Sequence, residues 1–412
     1  MRSQDKPVIL LIAEAVTLAH FARIAALART LATSSYHIVV ASDPRYADLD
    51  KPFDYDFHSI RSIPSAEFAR SLARGKAVYD ARTLTQYVED DLRLIDAVKP
   101  NLIVGDFRLS LAVSAPLRKV PYAAVVNAYW SPYADITYPV PDLPFTRFTG
   151  LKLGQKLFDL VRPLAFAQHA RPLNQVRSYY GLPPLGNDLR NVYTWGDYTL
   201  YADLPEVVPT QRLPDNHRYI GPILWSTHTP LPEWWDSLPD DKPIVFVTLG
   251  SSGQANLLPL VIRALSGFPI TVIAATAGKL ELENLPSNVL VTDYLPADTA
   301  SKRSAFVISN GGSLTTYQAM AGGVPVIGIS SNMDQLLNMG TIEQLGAGIT
   351  LRAGRTNAAG IHSAANTILQ NPSYAQAASR IGQALLQCDA GQRFRDIVEE
   401  ILQNETAQME EP

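Results

Sequence analysis

An α/β protein built on two parallel, doubly wound sheets is what this chain predicts, from three observations. Short β-branched runs recur along both halves, helical stretches separate them, and 412 residues exceed what one hydrophobic core usually accommodates. The proline-rich stretch GPILWSTHTPLPEWWDSLPDDK, residues 221–242, lacks sustained periodicity and reads as a linker. Residues 1–221 form one expected domain, 222–242 the linker and 243–373 a second domain.

The first half opens on VILLIA, a strand too short for a signal-peptide core or a membrane span, and continues into a helix expected over residues 20–33. Within it, ARIAALARTLA carries apolar residues at helical spacing, the mark of a core-facing surface. HIVVAS, NLIVGD and YAAVVNA follow as strands, with a helix near Leu111 between the last two. The rhythm breaks over residues 129–213, where Pro, Tyr and Trp accumulate around one helix expected at 153–180. Excursions of this kind on an α/β scaffold line binding clefts, so the region reads as an aromatic surface for a small molecule.

The second half resumes with IVFVTL, ITVIAAT, VLVTDYL, FVISN and VPVIGI. Two of these runs end abruptly in small residues, at 250–253 and 310–313, each ahead of an expected helix. A helix N-terminus preceded by Gly and Ser offers unpaired N–H groups and the positive dipole end to an anion, with no Cβ in the way. Two anion cradles on one sheet edge are therefore expected.

Composition removes several classes. A net charge of -4 argues against a nucleic-acid partner. The single cysteine, Cys388, excludes an internal disulfide and a cysteine-rich zinc cluster. No Asp-X-Asp pair stands at a strand end and none of the 7 histidines shows a metal-ligand spacing, so no catalytic metal is expected. A serine hydrolase would need a G-x-S-x-G elbow and an NAD-dependent dehydrogenase a G-x-G-x-x-G turn, and neither is present. The expectation is a cytoplasmic protein without a membrane span, monomeric or homodimeric.

The segment NGGSLTTYQAMAGGVPVIGISSNMDQLLN places Asn310, Gly311, Gly312, Thr315, Thr316, Gly323, Val324, Pro325, Asp334, Gln335 and Asn338 in a telling order. It resembles the nucleotide-sugar signature of the family 1 GT-B glycosyltransferases, which include UDP-glucuronosyl and macrolide glycosyltransferases. The resemblance implies two Rossmann-like lobes facing across a cleft, an acceptor domain first and a nucleotide-sugar domain second. It also implies that residues 374–412 form a helix crossing back to the first domain, followed by a frayed tail. The implied activity is inverting transfer of a hexose from a UDP-sugar or dTDP-sugar to a hydroxyl of a small, partly apolar acceptor, with no other cofactor.

Site residues carry over position by position. His20, just after the first strand, corresponds to the family's general base, and Asp106, ending NLIVGD, to the carboxylate that orients it. An imidazole titrates near neutrality, and a carboxylate on its far nitrogen fixes the tautomer. By the same resemblance Ser251, Ser252, Gly253, Asn310, Gly311, Gly312, Ser313 and Thr315 hold the diphosphate. Neutral N–H and hydroxyl donors aimed at developing charge can do the work of a metal ion. Tyr294 and Leu295 correspond to the residues that meet the base, Gln318 to the one at the ribose, and Asp334 and Gln335 to the pair that binds the sugar hydroxyls.

Departures leave alternatives open. Ala19 and Arg23 stand where the family has Gly and Pro around the histidine, Asn310 where it has a diphosphate-binding His, and Gln318 where it often has a ribose-binding Glu. Losing charge assistance weakens such contacts by roughly 1 to 2 kcal/mol. A GT-B binding protein or catalytically impaired partner subunit, or a nucleotide-sugar epimerase, would share much of this sequence. On the residues alone, the plainer reading is that His20 caps a helix or packs and Asp106 bonds nearby backbone, while Asn332, Met333, Asp334 and Gln335 would also cap the following helix from a solvated loop.

Overall fold

The computed structural model describes residues 6–142, 144–250, 253–282 and 284–410. Contacts divide the chain into two units, one of Met1–Ile136, Phe158–Trp225 and Asp389–Pro412, the other of Thr137–Leu157 and Ser226–Cys388. Thr137–Leu157 therefore groups with the second unit, although the sequence placed it in the first domain. The segment returning to the first unit begins at Asp389 rather than at 374. Instead of one helix there are two, Ser373–Leu386 and Ala390–Glu410, parted by a short turn. The acidic end continues the second helix to Glu410 where fraying was expected. Gln, Glu, Ala and Met are good helix formers.

In the first unit seven parallel strands form one sheet: β1 (Val8–Ala13), β2 (His37–Ser42), β3 (Asp56–Ser59), β4 (Leu102–Asp106), β5 (Tyr122–Val126), β6 (Tyr198–Tyr201) and β7 (His217–Tyr219). Their order is β3-β2-β1-β4-β5-β6-β7. Strands β1, β4 and β5 are covered on both faces, which is why they read as continuous apolar runs. The short and more polar β3, β6 and β7 lie toward the edges. Ala13 pairs with Asp106, so β1 and β4 end level where the strand order reverses. Connections leave such a switch point in opposite directions and open a crevice at the carboxyl ends of the strands.

The second unit repeats the plan with β8 (Ile244–Thr248), β9 (Thr271–Ala275), β10 (Val289–Thr292), β11 (Phe306–Ser309), β12 (Val326–Ser330) and β13 (Gly348–Arg352), ordered β10-β9-β8-β11-β12-β13. Val245, Val247, Ile308 and Ile327 share a core with Val261 and Ile262 of helix Leu258–Leu265 and Ile361 of helix Ala358–Gln370. Here the switch point lies between β8 and β11, with Thr248 paired to Ser309. The two small-residue loops foreseen from the sequence are the loops that leave these strands. Among the described residues, no helix is long and apolar enough to cross a membrane.

Candidate active site

The switch point of the first unit carries charge. After β1 the chain runs to Thr17, whose extended backbone (φ -135) precedes helix Leu18–Thr30. His20 lies in its first turn and Arg23 three residues on, on the same face of the helix. Asp106, the last residue of β4, is 1% exposed and meets both. His20 Nδ1 is 2.7 Å from Asp106 Oδ1. Arg23 Nε donates to Oδ2 at 2.6 Å and Nη2 to Oδ1 at 2.9 Å, a two-point fork. Arg23 Nη1 donates to Asn127 Oδ1 at 2.6 Å, and Asn127 Nδ2 donates to Asp203.

Burial alone would raise the Asp106 carboxyl, but Arg23 and His20 outweigh it and hold the group below its ordinary range. Asp106 is thus a buried carboxylate kept ionised. Phe107 follows in the left-handed region (φ 57) and stacks its ring on the imidazole, with centroids 4.9 Å apart and 7° between planes. Tyr193 meets Phe107 edge-on at 5.3 Å and Trp130 meets Tyr193 at 4.9 Å. A small cavity beside these rings is lined by Tyr79, Leu109, His169, Leu173 and Tyr193, among others. Part of the aromatic stretch singled out in the sequence, Trp130 and Tyr193, therefore gathers next to His20.

A second charged cluster underlies the same loops. Arg108, fully buried, bridges Glu14 and Asp91 at 3.0 Å each and lies over the Tyr87 ring. Burial raises both carboxyls despite Arg108. Glu14 follows β1 and Arg108 follows β4, so this cluster ties together the two loops that present His20 and Asp106.

The switch point of the second unit is made of neutral groups. Gly311 N donates to Ser309 Oγ and Gly312 N to Asn310 Oδ1, both at 3.0 Å. Gly311 has φ +79, and a Cβ there would come within 2.5 Å of Met339 Cγ. Asn338 Nδ2 donates to Gly311 O at 2.9 Å and to Thr316 Oγ1 at 3.1 Å, while Thr316 Oγ1 donates to Gly312 O at 2.8 Å. The loop is thus shaped from behind by the side chains of the signature. Ser313 and Thr315 open helix Ser313–Ala321 and are half-buried. Opposite, a Cβ on Gly253 would meet Leu249 O at 1.9 Å. Ser251 and Ser252 lie outside the described residues.

Of the remaining predicted residues, Tyr294 and Leu295 follow β10, Gln318 lies in helix Ser313–Ala321, and Asp334 and Gln335 open helix Met333–Gln344. The cap of helix Met333–Gln344 is Asn332, whose Oδ1 accepts from Gln335 N at 3.0 Å. Gln335 Oε1 accepts from Ser331 N and Oγ, and Asp334 is half-buried in the first turn. Leu295 is buried and Tyr294 half-buried, its hydroxyl donating to Ala277 O at 3.2 Å. Gln318 is buried, with Nε2 donating to Ser226 Oγ at 3.1 Å; that hydroxyl in turn donates to Asp298.

Sequence reasoning missed Ser226 and Asp298, and noted Arg23 only as a departure. The three-residue step from His20 to Arg23 was the available signal. Asn127 and Asp203 carried none beyond standing after strands. Among the described residues no group of three or more His, Cys, Asp or Glu converges as a metal site.

This fold and this pair of switch points define a class, and comparison with known proteins shows it: the chain belongs to the family 1 GT-B glycosyltransferases and is a hexosyltransferase. Residues 260–399 match the model for the C-terminal domain of erythromycin biosynthesis protein CIII-like proteins. The chain is 50% identical over 376 residues to a PGL/p-HBAD biosynthesis glycosyltransferase of Mycobacterium tuberculosis, covering 91% of this chain and 88% of the relative. A PGL/p-HBAD biosynthesis rhamnosyltransferase of Mycobacterium bovis is 51% identical over 376 residues, 91% of this chain and 84% of that protein. Among solved structures, spinosyn rhamnosyltransferase SpnG superposes with a TM-score of 0.70 at 17% identity, covering 94% of this chain and 99% of SpnG. SpnG has also been solved with thymidine diphosphate, at a TM-score of 0.69 and 16% identity, covering 95% of this chain and 99% of that one.

Proposed function

We propose that this enzyme transfers a hexose, rhamnose foremost, from a dTDP-sugar or UDP-sugar to a hydroxyl of a small, partly apolar acceptor in the cytoplasm, inverting the anomeric configuration. The observation that carries it is the 2.7 Å contact between His20 Nδ1 and a carboxylate held ionised while 1% exposed. With Nδ1–H donated to Asp106, Nε2 is the basic nitrogen and takes the acceptor proton. The acceptor oxygen forms its bond to the anomeric carbon as the bond to the diphosphate breaks. The aromatic wall of Phe107, Tyr193 and Trp130 suits an acceptor with a flat apolar face.

The backbone N–H groups and hydroxyls at 310–313, with Thr315, Gly253, Ser251 and Ser252, receive the leaving diphosphate without a metal. Asp334 and Gln335 take sugar hydroxyls, and Tyr294 and Leu295 the base. Gln318 supports thymidine over uridine, because a 2′-deoxyribose has one hydroxyl fewer to satisfy and less need of a carboxylate. The M. bovis relative named a rhamnosyltransferase supports rhamnose. Calorimetric titration with dTDP, UDP, GDP and ADP in EDTA, then with magnesium, tests the donor half. Selective binding of dTDP or UDP in EDTA is expected; binding only with magnesium would refute metal-free recognition, and no binding would favour an impaired GT-B protein. A relative from M. bovis, 49% identical over 260 residues that span 63% of this chain and 71% of that protein, is named as inactive, which makes that outcome a concrete alternative.

A further inference from the structure

We propose that Arg23 is the positioning residue of the proton-transfer site: its guanidinium locks the Asp106 carboxylate so that one oxygen direction is left for His20 Nδ1–H. This rests on His20 being the base. Arg23 is 6% exposed, and its fork uses Nε and Nη2 on the two carboxylate oxygens, while Nη1 is held by Asn127. A carboxylate gripped at both oxygens cannot rotate about its Cβ–Cγ bond without breaking two charge-assisted hydrogen bonds. Arg23 Nη2 also approaches His20 Nδ1 at 3.2 Å. Arg23 Nη2 and His20 Nδ1 both meet the same Asp106 Oδ1, so their 3.2 Å approach is that of two donors sharing one acceptor, and the shorter 2.7 Å contact to the carboxylate is the one that places the proton on Nδ1. The Nε2 lone pair is then the one left for the acceptor hydroxyl.

Charge supports the same role. Without Arg23, burial of Asp106 would be opposed by His20 alone, and the carboxyl would rise. The other titratable groups around Asp106 do not replace the lost cation. Tyr122 on β5 is a buried phenol whose own ionisation Asp106 disfavours, Asp203 lies behind Asn127 and is anionic in kind, and Arg108 is already committed to Glu14 and Asp91. A protonated Asp106 no longer draws Nδ1–H, so activity is lost from the acid side.

The test measures kcat and KM against pH for wild type, Arg23→Gln, Arg23→Lys and His20→Ala, with dTDP-rhamnose as donor and 4-methylphenol, which stays protonated across the neutral range, as probe acceptor. Thermal unfolding and dTDP titration serve as fold controls. For Arg23→Gln, kcat falls about 100-fold at neutral pH, both KM values stay within about 2-fold, and the acid limb moves to higher pH. Arg23→Lys keeps the charge but not the fork, so its acid limb returns to the wild-type position while kcat stays reduced. An unmoved acid limb in a folded Arg23→Gln protein overturns the proposal. Should Arg23→Gln not fold, wild-type kcat in Arg23→Lys overturns it as well. Full turnover by His20→Ala would instead remove the base assignment, an outcome separate from either.

Discussion

The two switch points occupy the same place in two similar sheets and are built from opposite materials. In the first unit the buried polar side chains include Glu14, Arg23, Asp91, Asp106, Arg108 and Asp203; in the second, every buried polar side chain among the described residues is neutral, as with Ser309, Asn310, Thr316, Gln318, Gln335 and Asn338. A proton-transfer site needs charges that hold one another in place before a proton arrives. A site for a diphosphate dianion or trianion brings its charge with the ligand, and neutral dipoles fixed in advance cost no reorganisation. On the proposed function, the same topology is filled according to whether the charge belongs to the protein or to the substrate.

This contrast can be broken from either side. Arg108→Met, the largest expected effect, strands Glu14 and Asp91 together in the core and costs about 3–5 kcal/mol of stability, read as a lowered urea midpoint. Gly311→Ala forces a Cβ toward Met339 at a positive φ; about 1–3 kcal/mol is lost and dTDP affinity falls with it, checked by unfolding and calorimetry on one sample. Asn338→Ala removes the donor to Gly311 O and Thr316, for about 1–2 kcal/mol, with the acid stability profile unchanged because no charge is involved.

Acid titration of stability sharpens the comparison further. Asp106 has a depressed folded pKa, so its contribution is present above the unfolded carboxylate value and is lost as pH falls through the folded one. Glu14 and Asp91 are raised, so theirs is fully present below the unfolded value and fades as pH rises through the folded ones. Mild acidification should therefore recover stability in Arg108→Met relative to neutral pH. A variant that weakens further on mild acidification would show that those carboxyls stay ionised there.

Much of this was legible in the chain because the informative residues are local in sequence. The run from Asn310 to Asn338 carries a loop, a helix and the next strand in fixed order, and its glycines stand where a positive φ or a close approach demands them. The strands VILLIA, NLIVGD and IVFVTL announce themselves through burial on both faces. What was not legible depends on long-range pairing. DFHS and HRY become strands because they pair at the two edges of the sheet, and YTLY because it pairs between β5 and β7, not because of their composition. Arg23 acquires its role from Asp106, 83 residues away, and Gln318 its partner from Ser226, 92 residues away. No local pattern encodes such contacts.

The central claim is that a charged site moves the proton while a neutral one holds the nucleotide. It is tested most directly by measuring two quantities on His20→Ala in EDTA: turnover of dTDP-rhamnose with acceptor, and the dissociation constant for dTDP. The account predicts turnover reduced by about 100-fold or more, with dTDP affinity equal to wild type. Wild-type turnover, or loss of dTDP binding in step with turnover, would contradict it.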